Sequence, residues 1–81
     1  MAKQVVYILR SVPEPLRPSI GLTSDIDARL AAHNAGRCRH TARDRPWEVV
    51  VVIEFANEQS AVRFERYLKS GSGRAFAKRH F

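Results

Sequence analysis

The chain is poor in the features that would mark a secreted, metal-stapled or membrane-embedded protein. It has one cysteine, Cys38, so no internal disulfide can form, and no zinc-type Cys/His spacing occurs. The apolar run Val49–Ile53 is far too short to span a bilayer, and no strongly amphipathic basic helix points to a membrane surface. The N-terminus shows neither a long apolar core nor a small-residue cleavage site, so no signal peptide is expected and a reducing cytoplasm is the expected location. No internal repeat and no flexible linker divides the chain. Acidic residues are scarce as well: eight Asp and Glu face fourteen Lys and Arg, leaving a net charge of +6 and a pI near 10.5. That balance fits a polyanionic partner, because Lys and Arg release condensed counterions from phosphates.

What is present is enough for one compact domain. The 81 residues are 44% hydrophobic, a globular composition, and residues 1–81 read as a single unit. Gln4 to Leu9 is rich in β-branched and aromatic residues and is expected to form a strand. Pro13, Pro15 and Pro18 mark a loop, and Ser19 to Thr23 reads as a short second strand that closes a hairpin. Ser24 to Asp27 has the Ser-x-x-acid pattern of a helix start, and Gly36 is the expected stop for a helix ending near His33 or Asn34. Ala35 to Pro46 has no apolar periodicity and reads as an exposed basic loop. Trp47 to Phe55, with its apolar run Val49–Ile53, reads as a strand expected to be central and buried on both faces. Asn57 is placed to cap a helix with Ala61, Phe64 and Leu68 as its apolar stripe. Ser70 to Gly73 should break that helix, and Arg74 to Phe81 should form a last one, with Phe76 and Phe81 packing back. The expected fold is α+β, a three-stranded antiparallel sheet flanked by helices in the order β-β-α-β-α-α.

Several side chains can carry phosphodiester chemistry if they converge. Arg29 and His33 are four apart on one helix and share a face; Tyr7 lies in the first strand; Glu65 and Lys69 lie on the second long helix. A carboxylate can hold a divalent metal, an arginine can stabilise charge on a phosphate, and a tyrosine or histidine can relay a proton. Each has a plainer reading: Tyr7 as a strand tyrosine, Arg29 paired with Asp25, Glu65 and Lys69 as an i,i+4 pair worth about 0.3–0.5 kcal/mol, His33 favoured by the helix dipole at a C-terminus. Trp47 reads as core, Cys38 as a bystander, and Gly71 and Gly73 as a helix break. Arg37, Arg39, Arg43 and Arg45 repel one another unless an anion is near, which favours phosphate contact.

In order and spacing, Val5-Val6-Tyr7, Ser19-Ile20-Gly21, Arg29-Leu30-x-x-His33-Asn34 and Phe64-Glu65-x-x-Leu68-Lys69 resemble the GIY-YIG nuclease domain, as does Arg45-Pro46-Trp47 before the third strand. The resemblance covers nearly the whole chain. It is closest to the small bacterial single-domain members and to the catalytic domain of the eukaryotic nuclease that cuts branched DNA. It implies a metal-dependent endonuclease acting on DNA rather than RNA, with a role in DNA repair and magnesium or manganese as cofactor. Separately, a domain this small has little surface for substrate selection, which points to a protein partner. By the same resemblance Tyr7 lines the site near the scissile phosphate, Arg29 contacts that phosphate, His33 is a proton-relay candidate and Glu65 ligates the ion. Arg37, Arg39, Arg43, Arg45 and Lys69 are the expected nucleic-acid contacts. Two positions depart from the pattern: Val5 replaces the first glycine, and Ser19 replaces the second-motif tyrosine, a proposed general base. The asparagine that often follows the glutamate helix is absent from Ser70 to Phe81. The alternative is a nucleic-acid-binding module with weak or lost hydrolysis.

Overall fold

The structure, a computed structural model, describes residues 4–81. Its elements are β1 (Gln4–Ser11), β2 (Pro18–Thr23), α1 (Ile26–Asn34), β3 (Trp47–Phe55), α2 (Glu58–Leu68) and α3 (Gly71–His80), with a 3-10 turn at Ala42–Asp44. The three strands form one antiparallel sheet in the order β2-β1-β3. The α+β architecture is the expected one. No helix among the described residues is long and apolar enough to cross a membrane.

The strand buried on both faces is β1, not β3. Val6, Tyr7, Ile8 and Leu9 are consecutive and all buried. Their side chains alternate between two cores. Tyr7 and Leu9 join Trp47 under Ile26 and Leu30 of α1, while Val6 and Ile8 pack with Ala61 and Leu68 of α2, and with Phe76 and Ala77 of α3. Thus α1 covers one face and α2 with α3 covers the other. The expectation of a central β3 fails because an unbroken apolar run does not distinguish an interior strand from an edge. At the edge, Val49 and Val52 stay 41% and 39% exposed.

A β-bulge on β3 sets which way its N-terminal end faces. Ile8 pairs with Val51 and Leu9 with Val49, which leaves Val50 as the extra residue. Val50 and Val51 therefore both pack on the α2/α3 side. The one-residue shift also reverses everything before it, and Trp47 turns to the α1 side.

The helix ends follow capping chemistry. Asp25, rather than Ser24, is the N-cap of α1: its carboxylate accepts from the Ala28 amide at 3.0 Å, and its own amide donates to Thr23 Oγ1 at 3.1 Å. At the other end Gly36 takes φ +77°, its amide donates to His33 O and the Arg37 amide to Ala32 O, a Schellman closure that only a residue tolerant of positive φ makes cheaply. Asn57 caps α2 as expected. The last helix starts earlier than expected, at Gly71, because Ser70 caps it by accepting from Gly73 N. Gly73 is buried against the backbone of Tyr67 and Leu68, where a Cβ would collide. The glycine-rich stretch is thus a tight corner between two helices. Phe76 packs on Phe64, and Phe81 lies 5.9 Å from Phe76 while remaining partly exposed.

Candidate functional site

The loop after α1 lacks apolar periodicity, yet its polar groups are tied down. The Asn34 side chain pairs both ways with the Trp47 backbone, accepting from its amide at 2.6 Å and donating to its carbonyl at 3.1 Å. Trp47 Nε1 donates to Thr41 O at 2.9 Å, Ser11 Oγ donates to Asp44 O, and Arg17 pairs with Asp44. This holds the loop against the face on which α1 lies.

On that face three predicted residues meet. Tyr7 projects from β1 towards α1, and its ring lies over Gly21, its partner residue in β2. A Cβ at Gly21 would run into the tyrosine ring and hydroxyl, so glycine is required there for close approach. Arg29 Nε donates to Tyr7 Oη at 3.1 Å. His33 Nε2 lies 3.4 Å from the same oxygen, and its Nδ1 lies 2.8 Å from Thr41 Oγ1. Arg29 and His33 reach one hydroxyl because four residues of helix place them on one face. Asp25 is occupied as a cap, which leaves Arg29 to Tyr7.

The electrostatics follow from this packing. Arg29 is largely exposed, and the hydrogen bond with Tyr7 raises its already high pKa. It is a permanent cation with its remaining N–H groups available to an anion. His33 is only 3% exposed. Burial, and then the Arg29 charge, push its pKa below the ordinary value, so the imidazole is neutral at neutral pH. Among the described residues no buried side-chain nitrogen or oxygen lacks a hydrogen-bond partner.

Glu65 is not part of this trio. It belongs to α2, on the opposite face of the sheet, and its carboxylate pairs with Lys69 at 2.7 Å, with side-chain exposures of 17% and 53%. Among the described residues no group of three or more His, Cys, Asp and Glu could hold a metal. Arg37, Arg39, Arg43 and Arg45 are all exposed on the loop that carries Thr41, and none takes part in the ion pairs Arg10–Glu48, Arg17–Asp44 and Lys69–Glu65. The Arg45 guanidinium packs back against Gly36. Ser19 pairs with Leu9 and falls on the Tyr7 face of β2, two residues before Gly21. Sequence reasoning missed Thr41 altogether: a threonine in a basic loop carries no signal until the loop is folded.

The chain as a whole is similar to several known proteins. A family model described as the GIY-YIG catalytic domain matches residues 3–79. The structure-specific endonuclease subunit SLX1 of Candida dubliniensis is 39% identical over 82 residues, spanning 93% of this chain and 27% of that protein. The corresponding subunit of Talaromyces marneffei is 43% identical over 65 residues, 73% of this chain and 17% of that one. The chain thus spans under a third of the fungal relatives. A UPF0213 protein of Staphylococcus haemolyticus matches nearly end to end, 36% identical over 73 residues, 89% of this chain and 87% of that protein. The solution NMR structure of a UPF0213 protein from Bacillus halodurans superposes with a TM-score of 0.57 at 27% identity, covering 94% of this chain and 80% of that one.

Proposed function

The chain belongs to the GIY-YIG catalytic domain family, and from that premise we propose that it is a metal-dependent endonuclease that hydrolyses phosphodiester bonds in structured or branched DNA. The observation that carries this reading is the hydrogen-bonded trio of Tyr7, Arg29 and His33 on one face of the sheet. The free N–H groups of Arg29 bind the phosphate and offset the charge that grows on it during attack. Tyr7 Oη takes a proton from the attacking water as its own proton passes to the neutral imidazole of His33. Arg29, already donating to that oxygen, favours the phenolate character that develops there. The proton held on His33 is later returned to the leaving oxygen or to solvent.

Glu65 is the residue proposed to hold magnesium or manganese. A lone carboxylate fits magnesium, which keeps several waters and is held by one or two carboxylates plus substrate phosphates. Lys69 now occupies that carboxylate, but it is half-exposed and can release it. When bound, the ion supplies charge neutralisation at the phosphate and lowers the pKa of its water. Arg29 and Glu65 come from helices on opposite faces, so the reading requires both to reach the same bound substrate. The basic loop and Lys69 supply the nucleic-acid contacts. Preference for structured substrates, and a protein partner, are carried over from fungal relatives named as structure-specific endonuclease subunits.

The test is a cleavage assay on duplex, branched and single-stranded DNA with magnesium or manganese, comparing wild type with Glu65→Ala. Glu65→Ala should abolish cutting while folding and DNA binding persist. Cutting by Glu65→Ala at the wild-type rate would remove Glu65 from the site. Ser19 favours a second reading, a binding module without hydrolysis: a serine hydroxyl is a weak base and does not fill the space of a tyrosine. That reading predicts salt-dependent binding, unchanged by Glu65→Ala, and no cleavage of any substrate.

A further inference from the structure

We propose that Thr41 is a positioning residue: its hydroxyl fixes His33 in the tautomer with the proton on Nδ1, leaving the Nε2 lone pair aimed at the Tyr7 hydroxyl. The inference deepens the reading of Tyr7 and His33 as a proton-transfer pair and rests on it for its functional consequence.

The protons around Thr41 and His33 can be counted. Thr41 Oγ1 has two neighbours, His33 Nδ1 at 2.8 Å and the Cys38 carbonyl oxygen at 3.2 Å. A carbonyl only accepts, so the contact with Cys38 O uses the single hydroxyl proton of Thr41. With the proton there, the face of the oxygen towards His33 is a lone pair, and Nδ1 donates to it. A neutral imidazole with hydrogen on Nδ1 has a bare Nε2, and that atom lies 3.4 Å from Tyr7 Oη. Tyr7 Oη already accepts from Arg29, so its own proton is free to go to Nε2. The result is one directed chain, Arg29 to Tyr7 to His33 to Thr41 to Cys38 O, in which each hydroxyl donates once and accepts once. In the opposite tautomer His33 Nδ1 and Cys38 O compete for the one Thr41 hydroxyl proton, and Nε2–H joins Arg29 as a second donor to Tyr7 Oη, which leaves the tyrosine proton no acceptor in this chain. Because proton transfer needs the bare nitrogen to face the tyrosine, only the first arrangement is productive.

The threonine is held in place independently of His33. Its amide donates to Cys38 O at 3.1 Å and its carbonyl accepts from Trp47 Nε1, while Trp47 is itself pinned by Asn34, the neighbour of His33. Thr41 thus reaches the imidazole from a loop anchored to the same helix end. A residue that sets the tautomer of a working imidazole is needed for rate, though it touches no substrate.

The test reads the tautomer directly and does not need activity. The full chain is labelled with 15N-histidine, and the ring nitrogens are observed by long-range proton–nitrogen correlation above the histidine titration, with His33 assigned by substitution. Wild type should show a protonated Nδ1 and a bare Nε2 at His33. Thr41→Ser should keep that pattern, and Thr41→Val should lose it. On DNA, Thr41→Val should lower kcat by roughly 10- to 100-fold, the range for removing a partner that orients a functional imidazole, with KM unchanged and Thr41→Ser near wild type. Wild-type His33 with its proton on Nε2, or Thr41→Val with an unchanged tautomer, would overturn the inference. If Thr41→Val unfolds, the wild-type and Thr41→Ser spectra decide. If the wild type cuts nothing, the proposed function fails while the spectra still judge the placement of Thr41.

Discussion

Replacing Tyr7 by phenylalanine separates chemistry from folding at this site. The ring, 1% exposed in the central strand, would stay in place over Gly21. Only the hydroxyl is lost, together with its contacts to Arg29 and His33. Arg29 is exposed and recovers its hydrogen bond from water, so that loss costs little. His33 Nε2 is buried and loses its partner. An unmet buried group costs about 1–3 kcal/mol, and the 3.4 Å separation places this contact at the low end, about 1 kcal/mol. For a domain of this size that is a fall in Tm of about 4–8 °C. With a typical stability of about 5–15 kcal/mol, nearly all molecules remain folded. The rate should fall much further, by about 100-fold or more, the usual contribution of a proton-transfer group. A 100-fold loss is about 2.7 kcal/mol in the barrier, well beyond the folding cost. Single-turnover cleavage at 25 °C, with a urea melt on the same preparation, measures both quantities. A rate within about 3-fold of wild type, or a deficit that vanishes on cooling, would refute Tyr7 as a participant.

The other expectations concern the support and reach of the site. Gly21→Ala should destabilise the fold by about 1–3 kcal/mol, because the buried Tyr7 ring has nowhere to move; in a Tyr7→Ala background the same change should cost much less in a urea melt. The pKa of His33 is lowered by folding, so its stabilising contribution is complete above the unfolded value of 6.5 and is lost as pH falls below it towards the folded-state value. Cleavage that needs the neutral imidazole should likewise keep its rate down to a pH below 6.5, and an acid limb above that value would count against the reading. Changing Arg37, Arg39 and Arg43 together to alanine should reduce the slope of log K against log salt by up to about 0.9 per lost phosphate contact. Titrations at several salt concentrations measure this, and an unchanged slope would return those arginines to solvent. Arg45 is spared because it packs on Gly36.

The parts of this fold that were legible in the sequence are governed by local chemistry. Asn57 and Gly36 mark helix ends because capping and positive φ depend on one residue and its near neighbours. Arg29 and His33 were legible as a pair for the same reason, since helix geometry fixes i and i+4 together. The illegible parts depend on pairing between distant segments. The bulge at Val50 leaves no trace in a run of valines, yet it turns Trp47 towards His33. Thr41 acquires meaning only because Asn34 and Trp47 bring its loop back to the end of α1. Ser70 lies before two glycines that read as a break, although its hydroxyl starts the next helix.

The relation of Arg29 to Glu65 belongs to this second class and follows from β1. Because β1 is central and buried on both sides, Tyr7 and Leu9 face α1 while Val6 and Ile8 face α2 and α3. A strand with one solvent face would have collected all helices, and all their functional groups, on a single side. Here the sandwich divides them: Tyr7, His33 and the exposed Arg29 on one face, Glu65 on the other. On the α1 face β2 presents Ser19, Gly21 and Thr23, with the buried Tyr7 ring packed over Gly21. A tyrosine at position 19 would stand on this face, two residues from Gly21 and beside the trio. Ser19→Tyr should therefore add a phenol next to Tyr7 without disturbing the α2 face. If the second hydroxyl limits chemistry, that change raises the cleavage rate at constant DNA affinity. An unchanged rate would show that Tyr7 and His33 carry the proton without it.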